Sequence, residues 1–246
     1  MTLNRLPLTI FLLAILLPCF CYAQEKDDPP TGQPLKVVFI KDNAPFSLLL
    51  PDGTPTGLYV EFWQLWSKTN HIPIKFYPET FANAMVGLRN HEYDFHVGLF
   101  ANDQRNEWGE FSIPFHQVET GVFFRGNQQQ YPNLSDMAGK TIAVQDGTFQ
   151  HHYLVKNHPQ LKVLAFDDAD LILSQLLNNE FDAIASEIPY LNSQIAKMGL
   201  RGVFKLSSEK LLTNDVRAFI PKGKANLKSV IDTGIKRIPA DKVIAA

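Results

Sequence analysis

The side chain in this chain best suited to bind a ligand is one arginine in a short polar loop. Arg105 lies within the segment from Tyr93 to Phe115, where the apolar run FHVGLF gives way to ANDQRNEWG. Open α/β sheets place their ligands where strands end in such loops. A guanidinium stays charged at working pH, and its planar fork matches a carboxylate, so Arg105 is a candidate binding group for a small acid. The alternative is a solvated surface charge, as most loop arginines are.

Histidines offer a second kind of chemistry. His151 and His152 are adjacent, and His158 follows nearby. Neighbouring residues on a helix point about a third of a turn apart, so this pair needs ligands from elsewhere to hold a metal. A solvated helix face is the interpretation that we adopt, and we predict no metal site and no cofactor. His96 and His116 flank the Arg105 loop, but the sequence does not show that they converge.

The N-terminus resembles a targeting segment. Asn4 and Arg5 precede an apolar run at 6–23, and the chain turns polar at QEKDD. This layout is typical of a secretory signal peptide, so we predict a leader at 1–23, cleaved after Ala23, and a short linker at 24–34. An uncleaved membrane anchor is the alternative, because the run approaches the roughly 20 residues that cross a bilayer. Both cysteines, Cys19 and Cys21, lie in the leader, so the mature domain would have no disulfide.

Charge and length limit the class of protein. Acidic and basic residues are interspersed and give a net charge of −2, which argues against a nucleic-acid partner. The residues after the leader suffice for one large domain or two lobes with their own cores. We therefore expect an exported, monomeric protein that is stabilised by its hydrophobic core.

The elements that position Arg105 follow a regular alternation. VVFI at 37–40, PIKFY at 73–77 and DFHVG at 94–98 read as strands. Between them, a helix begins near Leu58, with an apolar face that includes Trp66, and another covers 82–90 with Thr80 as its predicted cap. Strands that alternate with helices in this way predict a parallel sheet covered on both faces.

A second alternation follows the first. Strands at 141–147, 162–166 and 181–186 are separated by helices at 149–157 and 169–178. The apolar runs 121–126 and 216–221 have no obvious place in either sheet. We interpret them as crossings between two α/β lobes, with lobe 1 at 35–122 and 217–246 and lobe 2 at 123–216. Two crossings make a hinge, and the cleft between the lobes is the expected ligand site.

Several segments together resemble one family. DNAPFS, PDGTPTGLYVE, YDFHVGLFANDQRNEWGEFSIPF, GKTIAVQDGT and FDAIASE occur in the order found in the type II periplasmic solute-binding proteins of family 3. The resemblance covers nearly all of residues 36–246. It implies a two-lobed α/β fold, with two mostly parallel sheets joined by two hinge crossings. It also implies capture of a small polar solute, an amino acid or related carboxylate, by lobe closure for an ABC-type permease.

The resemblance also implies roles for particular residues. Arg105 matches the arginine that holds the ligand's α-carboxylate, and Glu187 matches the acid that takes the ammonium. Phe81 matches the aromatic residue that covers the ligand. Thr148 opens a helix where a hydroxyl and backbone N–H groups can bind an oxyanion. Asp182 belongs to the pattern as a structural residue.

This chain departs from the family pattern at several positions. Phe100 and Ala101 replace hydroxyl residues, Phe149 follows Thr148 where another hydroxyl is common, and the loop before Arg105 is one residue shorter. These changes remove donors and add aromatic surface, so the ligand is expected to be bulkier or less polar. Phe100, Phe149 and Asn43, from the DNAPFS segment, complete the predicted ligand-binding set.

Two alternatives to transport remain open. The shorter loop resembles that of ligand-sensing domains of signalling receptors, which would give the chain a sensor partner in place of a permease. Its last helix is also shorter than is usual in the family, as in a trimmed chain or a severed sensor module. Some relatives of this fold are periplasmic dehydratases, in which Glu187 could serve as a general acid. We see no set of nucleophile, base and orienting group, so we predict no catalytic residues.

Overall fold

The structure, a computed structural model, describes residues 32–239 except 128–130, 132, 168 and 209. The predicted leader at 1–23, most of the predicted linker and the chain end at 240–246 lie outside the described residues. Strands and helices alternate in the first part, as the sequence predicts. Its elements are β1 (Leu35–Ile40), β2 (Asp42–Asn43), β3 (Ser47–Leu49), β4 (Pro55–Thr56), α1 (Leu58–Asn70), β5 (Ile74–Glu79), α2 (Phe81–Arg89), β6 (Phe95–Leu99), α3 (Asp103–Asn106) and β7 (Gly109–Phe111).

Two long strands then connect this part to a second one. They are β8 (His116–Arg125) and β13 (Leu212–Pro221). Between them lie a 3₁₀ turn (Leu134–Met137), β9 (Thr141–Gln145), α4 (Phe149–Asn157), β10 (Lys162–Phe166), α5 (Ala169–Leu177), β11 (Ala183–Glu187), α6 (Ile188–Lys197) and β12 (Phe204–Leu206). The last helix, α7 (Ala225–Lys236), returns to the first part. We call β1–β7, α1–α3 and α7 the first lobe, and β9–β12 with α4–α6 the second lobe.

The centre of the first lobe is a parallel sheet covered on both faces. Strand β1 lies between β5 and β6 and runs parallel to both. Its side chains alternate, so Val37 and Phe39 pack with residues of α1 and Val38 packs with residues of α2. Because helices cover both faces, β6 is buried throughout, and His96 is its only polar side chain.

Helix α1 holds the first lobe together through two tryptophans. Trp63 and Trp66 are fully buried, the latter as the sequence predicts. Their indole N–H groups donate to a carbonyl of β6 at 2.6 Å and to a carbonyl of α7 at 3.3 Å. Buried indoles with satisfied donors combine a large apolar area with a fixed orientation. Trp66 thereby packs the C-terminal helix onto the first lobe.

The two crossing segments do have places in the sheets, so the prediction that left them outside was wrong. Strand β8 pairs with β11 and β12 of the second lobe, and β13 pairs with β6 and β7 of the first. In between, 212–216 pairs antiparallel with 116–120. The strands therefore form one ladder in the order β10-β9-β11-β8-β13-β6-β1-β5. The residue-level lobe boundaries remain a prediction.

The first and last residues of the helices lie close to those that local sequence patterns predict. Helix α4 spans the predicted residues, and Thr80 caps α2 by accepting a hydrogen bond from the Asn83 N–H at 3.3 Å. The short β2–β3–β4 sheet and α6 were not predicted. Within the described residues, no helix combines the length and apolar character that a membrane crossing requires.

Close packing behind the Arg105 loop gives a testable stability effect. Gly109 lies on β7, where an added Cβ would overlap the fully buried ring of Phe219. Gly109→Ala should therefore destabilise the fold by about 1–3 kcal/mol, and thermal denaturation should show a melting temperature lower by roughly 2–4 °C per kcal/mol. In a Phe219→Leu background the added methyl has more room, so its cost should shrink. Equal costs in both backgrounds would contradict this explanation.

Candidate functional site

A cavity of about 810 Å³ lies between the two lobes. Its walls come from the ends of β1, β5, β6, β9 and β11 and from residues of α1, α2, α3, α4 and α6. All seven residues that the sequence singled out as ligand-binding line it: Asn43, Phe81, Phe100, Arg105, Thr148, Phe149 and Glu187. The fold thus brings the whole predicted set together. Shared position does not test ligand contact, so their role in binding stays a prediction.

Arg105 lies on α3, a single helical turn capped by Asn102, whose side chain accepts from the Arg105 N–H at 2.8 Å. Only 6% of Arg105 is exposed. Its Nη1 donates to the carbonyl of Phe100 at 2.7 Å, and its Nη2 donates to the carbonyl of Gly147, in the second lobe, at 3.4 Å. A guanidinium has five N–H donors, so these two bonds leave three for a ligand.

The charge of Arg105 has no fixed counter-ion among the residues that the structure describes. In the described part of the chain, no carboxylate oxygen lies within the 4.0 Å of an ion pair with its guanidinium. Burial lowers the pKa of Arg105 to about 10, while Glu187 acts in the opposite direction. The side chain therefore remains a cation at neutral pH. A buried cation without a paired carboxylate costs stability, which points to a binding role.

Phe81 lies beside this cation at the start of α2. The guanidinium carbon is 5.8 Å from the centre of its ring, within reach of a cation–π interaction. A Cβ placed on Gly147, across the cleft, would be 3.5 Å from the same ring. Phe81 therefore spans the gap between the lobes next to Arg105, where the sequence predicts a ligand cover.

Glu187 enters the cavity from the second lobe, at the junction of β11 and α6. Burial raises its pKa to about 7, against the effects of a hydrogen bond with Gln150 and the charge of Arg105. Gln150 is itself buried, and its Nε2 donates to Thr120 Oγ1 at 3.2 Å. The carboxyl of Glu187 is thus held near half-ionisation at neutral pH, where a neighbouring ammonium would favour its charged form.

Thr148 lies in the cavity wall, but its hydroxyl serves the fold. Its Oγ1 donates to the Gln145 carbonyl at 2.7 Å and accepts from the His151 N–H at 3.4 Å, which caps α4. Because the hydroxyl proton is used within the fold in this arrangement, its predicted contact with a ligand oxyanion stays a prediction. The backbone N–H groups of the first turn of α4 remain the donors that this helix end offers.

Two phenylalanines close the cavity from opposite lobes. The rings of Phe100 and Phe149 meet edge to face, with centroids 5.9 Å apart and an interplanar angle of 88°. The aromatic surface that the sequence predicted is thus present at the boundary of the lobes. Asn43 lines the cavity from β2, and its carbonyl accepts from the Phe46 N–H at 2.9 Å.

Other contacts bridge the mouth of the cleft. Lys156 pairs with Asp103 at 2.7 Å, and Lys197 pairs with Asp42 at 3.4 Å, each bond linking one lobe to the other. All four side chains are more than half exposed, so each pair contributes little to stability. Together with the bond from Arg105 to Gly147, they show the lobes in a closed arrangement.

Several residues that line this cavity were not in the ligand-binding set predicted from the sequence. Tyr59, Met85, Trp108 and Gln150 line it, and no local pattern separates them from ordinary core residues. His96 also lines it, and a histidine within an apolar strand was a usable signal. For metal, the described residues contain no group of three or more histidine, cysteine, aspartate or glutamate side chains placed to share an ion.

Two α/β lobes, two crossing strands and a cavity between the lobes define the class of two-lobed solute-binding proteins. Comparison with known families identifies the branch of this class. The chain belongs to the bacterial extracellular solute-binding proteins, family 3, whose family model matches residues 35–246.

Individual proteins are similar to this chain at low identity. ABC transporter arginine-binding protein 1 of Escherichia coli is 20% identical over 149 residues, which make up 60% of this chain and 60% of that protein. The crystal structure of an amino acid ABC transporter substrate-binding protein from Streptococcus pneumoniae bound to L-arginine superposes with a TM-score of 0.73 at 18% identity, covering 87% of this chain and 94% of that one. A histidine kinase sensor domain with similarity to periplasmic binding proteins superposes with a TM-score of 0.78 at 16% identity, covering 87% and 95%.

Proposed function

We propose that this protein captures a small solute with a carboxylate, an amino acid or a close relative of one, in the cavity between its lobes. The observation that carries this proposal is Arg105, a buried cation with three unused donors and no paired carboxylate among the described residues. A ligand carboxylate would supply the missing counter-charge through a bidentate contact.

Glu187 gives the proposal its second charge. Its carboxyl faces the same cavity from the other lobe, and its raised pKa means that an incoming ammonium would complete its ionisation. Opposite charges on opposite lobes suit an α-amino acid, which carries both groups on one carbon. Two of the similar proteins are an ABC transporter arginine-binding protein and a substrate-binding protein bound to L-arginine, an amino acid with the same α-carboxylate and ammonium.

The interactions are sufficient for physiological affinity. Charge-assisted hydrogen bonds contribute roughly 1.5–3 kcal/mol each, so two or three of them with burial against Phe81 support micromolar binding. Because Arg105 and Glu187 lie on different lobes, the ligand contacts both only when the cleft is closed. Ligand binding therefore favours the closed form by its differential affinity. In this scheme lobe 1 comprises 35–122 and 217–246, and lobe 2 comprises 123–216.

The setting follows from the same proposal. The protein is exported through the leader at 1–23, acts in the periplasm as a monomer, and delivers its solute to an inner-membrane ABC-type permease. It binds the solute without converting it. Recovery of the unchanged ligand after prolonged incubation checks this last statement, and a new product would overturn it.

The proposal is tested by comparing amino acids with their carboxamides. The standard L-amino acids, L-arginine among them, form the test panel. Isothermal titration calorimetry should show that at least one of them binds. The carboxamide of that amino acid keeps the ammonium and side chain but loses the negative charge, so its affinity should be at least about 100-fold lower. Equal affinity of the acid and the amide would refute the role of Arg105, and the absence of binding across the panel would refute the function.

A further inference from the structure

The first lobe contributes further residues to the cavity wall besides those proposed to hold an α-carboxylate and ammonium. We call the part of the cavity that they line the side pocket and define it by the lining residues Ala82, Met85, Arg89, His96, Leu99 and Trp108. Met85, Leu99 and Trp108 belong to one hydrophobic cluster. Trp108 packs on Phe219 with ring centroids 4.5 Å apart, and Phe219 lies opposite His96 in the β-ladder. These contacts place the pocket residues around one space.

His96 has a defined tautomer in this pocket. Its Nδ1 accepts a hydrogen bond from the Gly98 N–H at 3.1 Å. A ring nitrogen that accepts from a backbone N–H carries no proton, so in the neutral ring the proton is on Nε2. Burial and the nearby Arg105 lower the pKa of His96 to about 3, so the ring is neutral at physiological pH. His96 therefore provides an N–H donor.

That donor is unused within the protein. His96 is 2% exposed, and its Nε2 is buried with no hydrogen-bond partner among the residues that the structure describes. The Nε1 of Trp108 is likewise buried and has no hydrogen-bond partner among the described residues. A buried donor without a partner costs about 1–3 kcal/mol, and such donors are rare in folded proteins. Because both residues line the same pocket, a ligand atom that accepts hydrogen bonds would satisfy either donor.

The positive charge of Arg89 also favours a ligand group that accepts hydrogen bonds. The guanidinium of Arg89 lies 4.2 Å above the ring of Trp108. Glu79 also lines the cavity, but its carboxylate accepts a hydrogen bond from Tyr93 Oη at 3.0 Å. Although Glu79 keeps its negative charge, a ligand group that reaches His96 and Trp108 meets two N–H donors and the guanidinium of Arg89. An oxygen acceptor, neutral or anionic, fits these surroundings.

We propose that the side pocket receives the side chain of the bound solute, and that it selects a mainly apolar side chain of aromatic size that ends in a hydrogen-bond acceptor contacted by His96 Nε2–H. This inference rests on the proposed function, because it assumes that Arg105 holds the carboxylate of the same ligand. A cavity of about 810 Å³ lies toward the upper end of the range for small-molecule sites, which leaves room for such a side chain.

The test uses three probes with the same α-carboxylate and ammonium: L-tyrosine, L-phenylalanine and L-arginine. Calorimetry on the wild-type protein should rank L-tyrosine first by about fivefold or more over L-phenylalanine, with L-arginine weakest. His96→Phe keeps a ring of similar shape and removes the donor, so it should abolish the preference for L-tyrosine and leave the affinity for L-phenylalanine within about twofold. His116→Phe, at a half-buried histidine outside the cavity lining, is the matched control and should preserve the ranking.

The outcomes separate the two proposals. Tightest binding of L-arginine, or equal binding of L-tyrosine and L-phenylalanine, would overturn the side-pocket inference while leaving the proposed function intact. Binding of none of the three probes would overturn the inference, and the standard amino-acid panel would then decide the proposed function separately. If His96→Phe does not fold, the wild-type ranking and Trp108→Phe, which removes the second donor, still decide the case, because Trp108→Phe should also reduce the preference for L-tyrosine.

Discussion

Replacing Arg105 with alanine should lower the affinity for an amino-acid ligand by at least about 100-fold, to below detection in calorimetry. The guanidinium would supply two charge-assisted hydrogen bonds of roughly 1.5–3 kcal/mol each to the ligand carboxylate. Arg105→Lys keeps the charge but not the planar fork, so it should recover only part of the affinity. The loss is larger than for any other single residue of the cavity, because no second cation in the described cavity wall is comparably buried.

The same substitution should leave the ligand-free protein folded. Arg105 is buried without a paired carboxylate among the described residues, so its removal relieves a desolvation cost as well as deleting two hydrogen bonds to carbonyls. The melting temperature of ligand-free Arg105→Ala is therefore expected to stay close to that of the wild type. A loss of binding accompanied by unfolding would mean that Arg105 serves the fold and not the ligand.

A matched control is available on a crossing strand. Arg125 lies on β8, outside the cavity lining, and its Nη1 donates to the Leu177 carbonyl at 2.9 Å. Arg125→Ala removes a charge of the same sign at a distance from the ligand, so it should preserve the affinity. Unchanged affinity in Arg105→Ala would contradict the proposed site, whereas equal losses in both variants would indicate a general electrostatic effect.

The parts of the fold that could be predicted are those encoded in short stretches of sequence. Helix α4 was located correctly because a Gly-Thr turn precedes it and Thr148 caps it. The buried strands of the first lobe were located because their apolar runs are bounded by turn residues. The crossing strands were recognised as connections but not as sheet members. Their pairing with each other joins residues 92 to 100 positions apart, which no local pattern reports.

The candidate site, like the fold, has parts that could be predicted from the sequence and parts that could not. Family resemblance supplied seven residues that all line the cavity, but it could not show how each side chain is used. Thr148 illustrates this, because its hydroxyl caps α4 and donates to the Gln145 carbonyl within the fold. The side pocket could not be predicted because it depends on tertiary contacts among α2, β6 and the residues after α3. His96 was the one visible anomaly, a titratable group in a strand buried on both faces.

The second large effect concerns Glu187 and the pH dependence of stability. Burial raises its pKa from 4.5 to about 7 in the folded protein, so the folded state holds a proton that the unfolded state has released between these values. Stability from this group is thus fully present below pH 4.5 and is lost as the pH rises to about 7. A change of this size corresponds to about 3 kcal/mol. His96 acts in the opposite direction, because its pKa is lowered from 6.5 to about 3.

Since these two groups oppose each other, the effect of Glu187 must be read as a difference between variants. Glu187→Gln removes the titration and keeps the shape of the side chain. Denaturant unfolding of ligand-free protein should give equal stabilities for Glu187→Gln and wild type near pH 4, and an advantage for the variant that grows to about 3 kcal/mol at pH 8. Glu107→Gln, which removes an exposed carboxyl outside the cavity lining, is the control and should follow the wild-type profile. A stability difference between the two proteins that stays constant from pH 4 to pH 8 would show that Glu187 is not held near half-ionisation in the cleft. The group of the second lobe that is proposed to bind the ligand ammonium would then have to be reassigned.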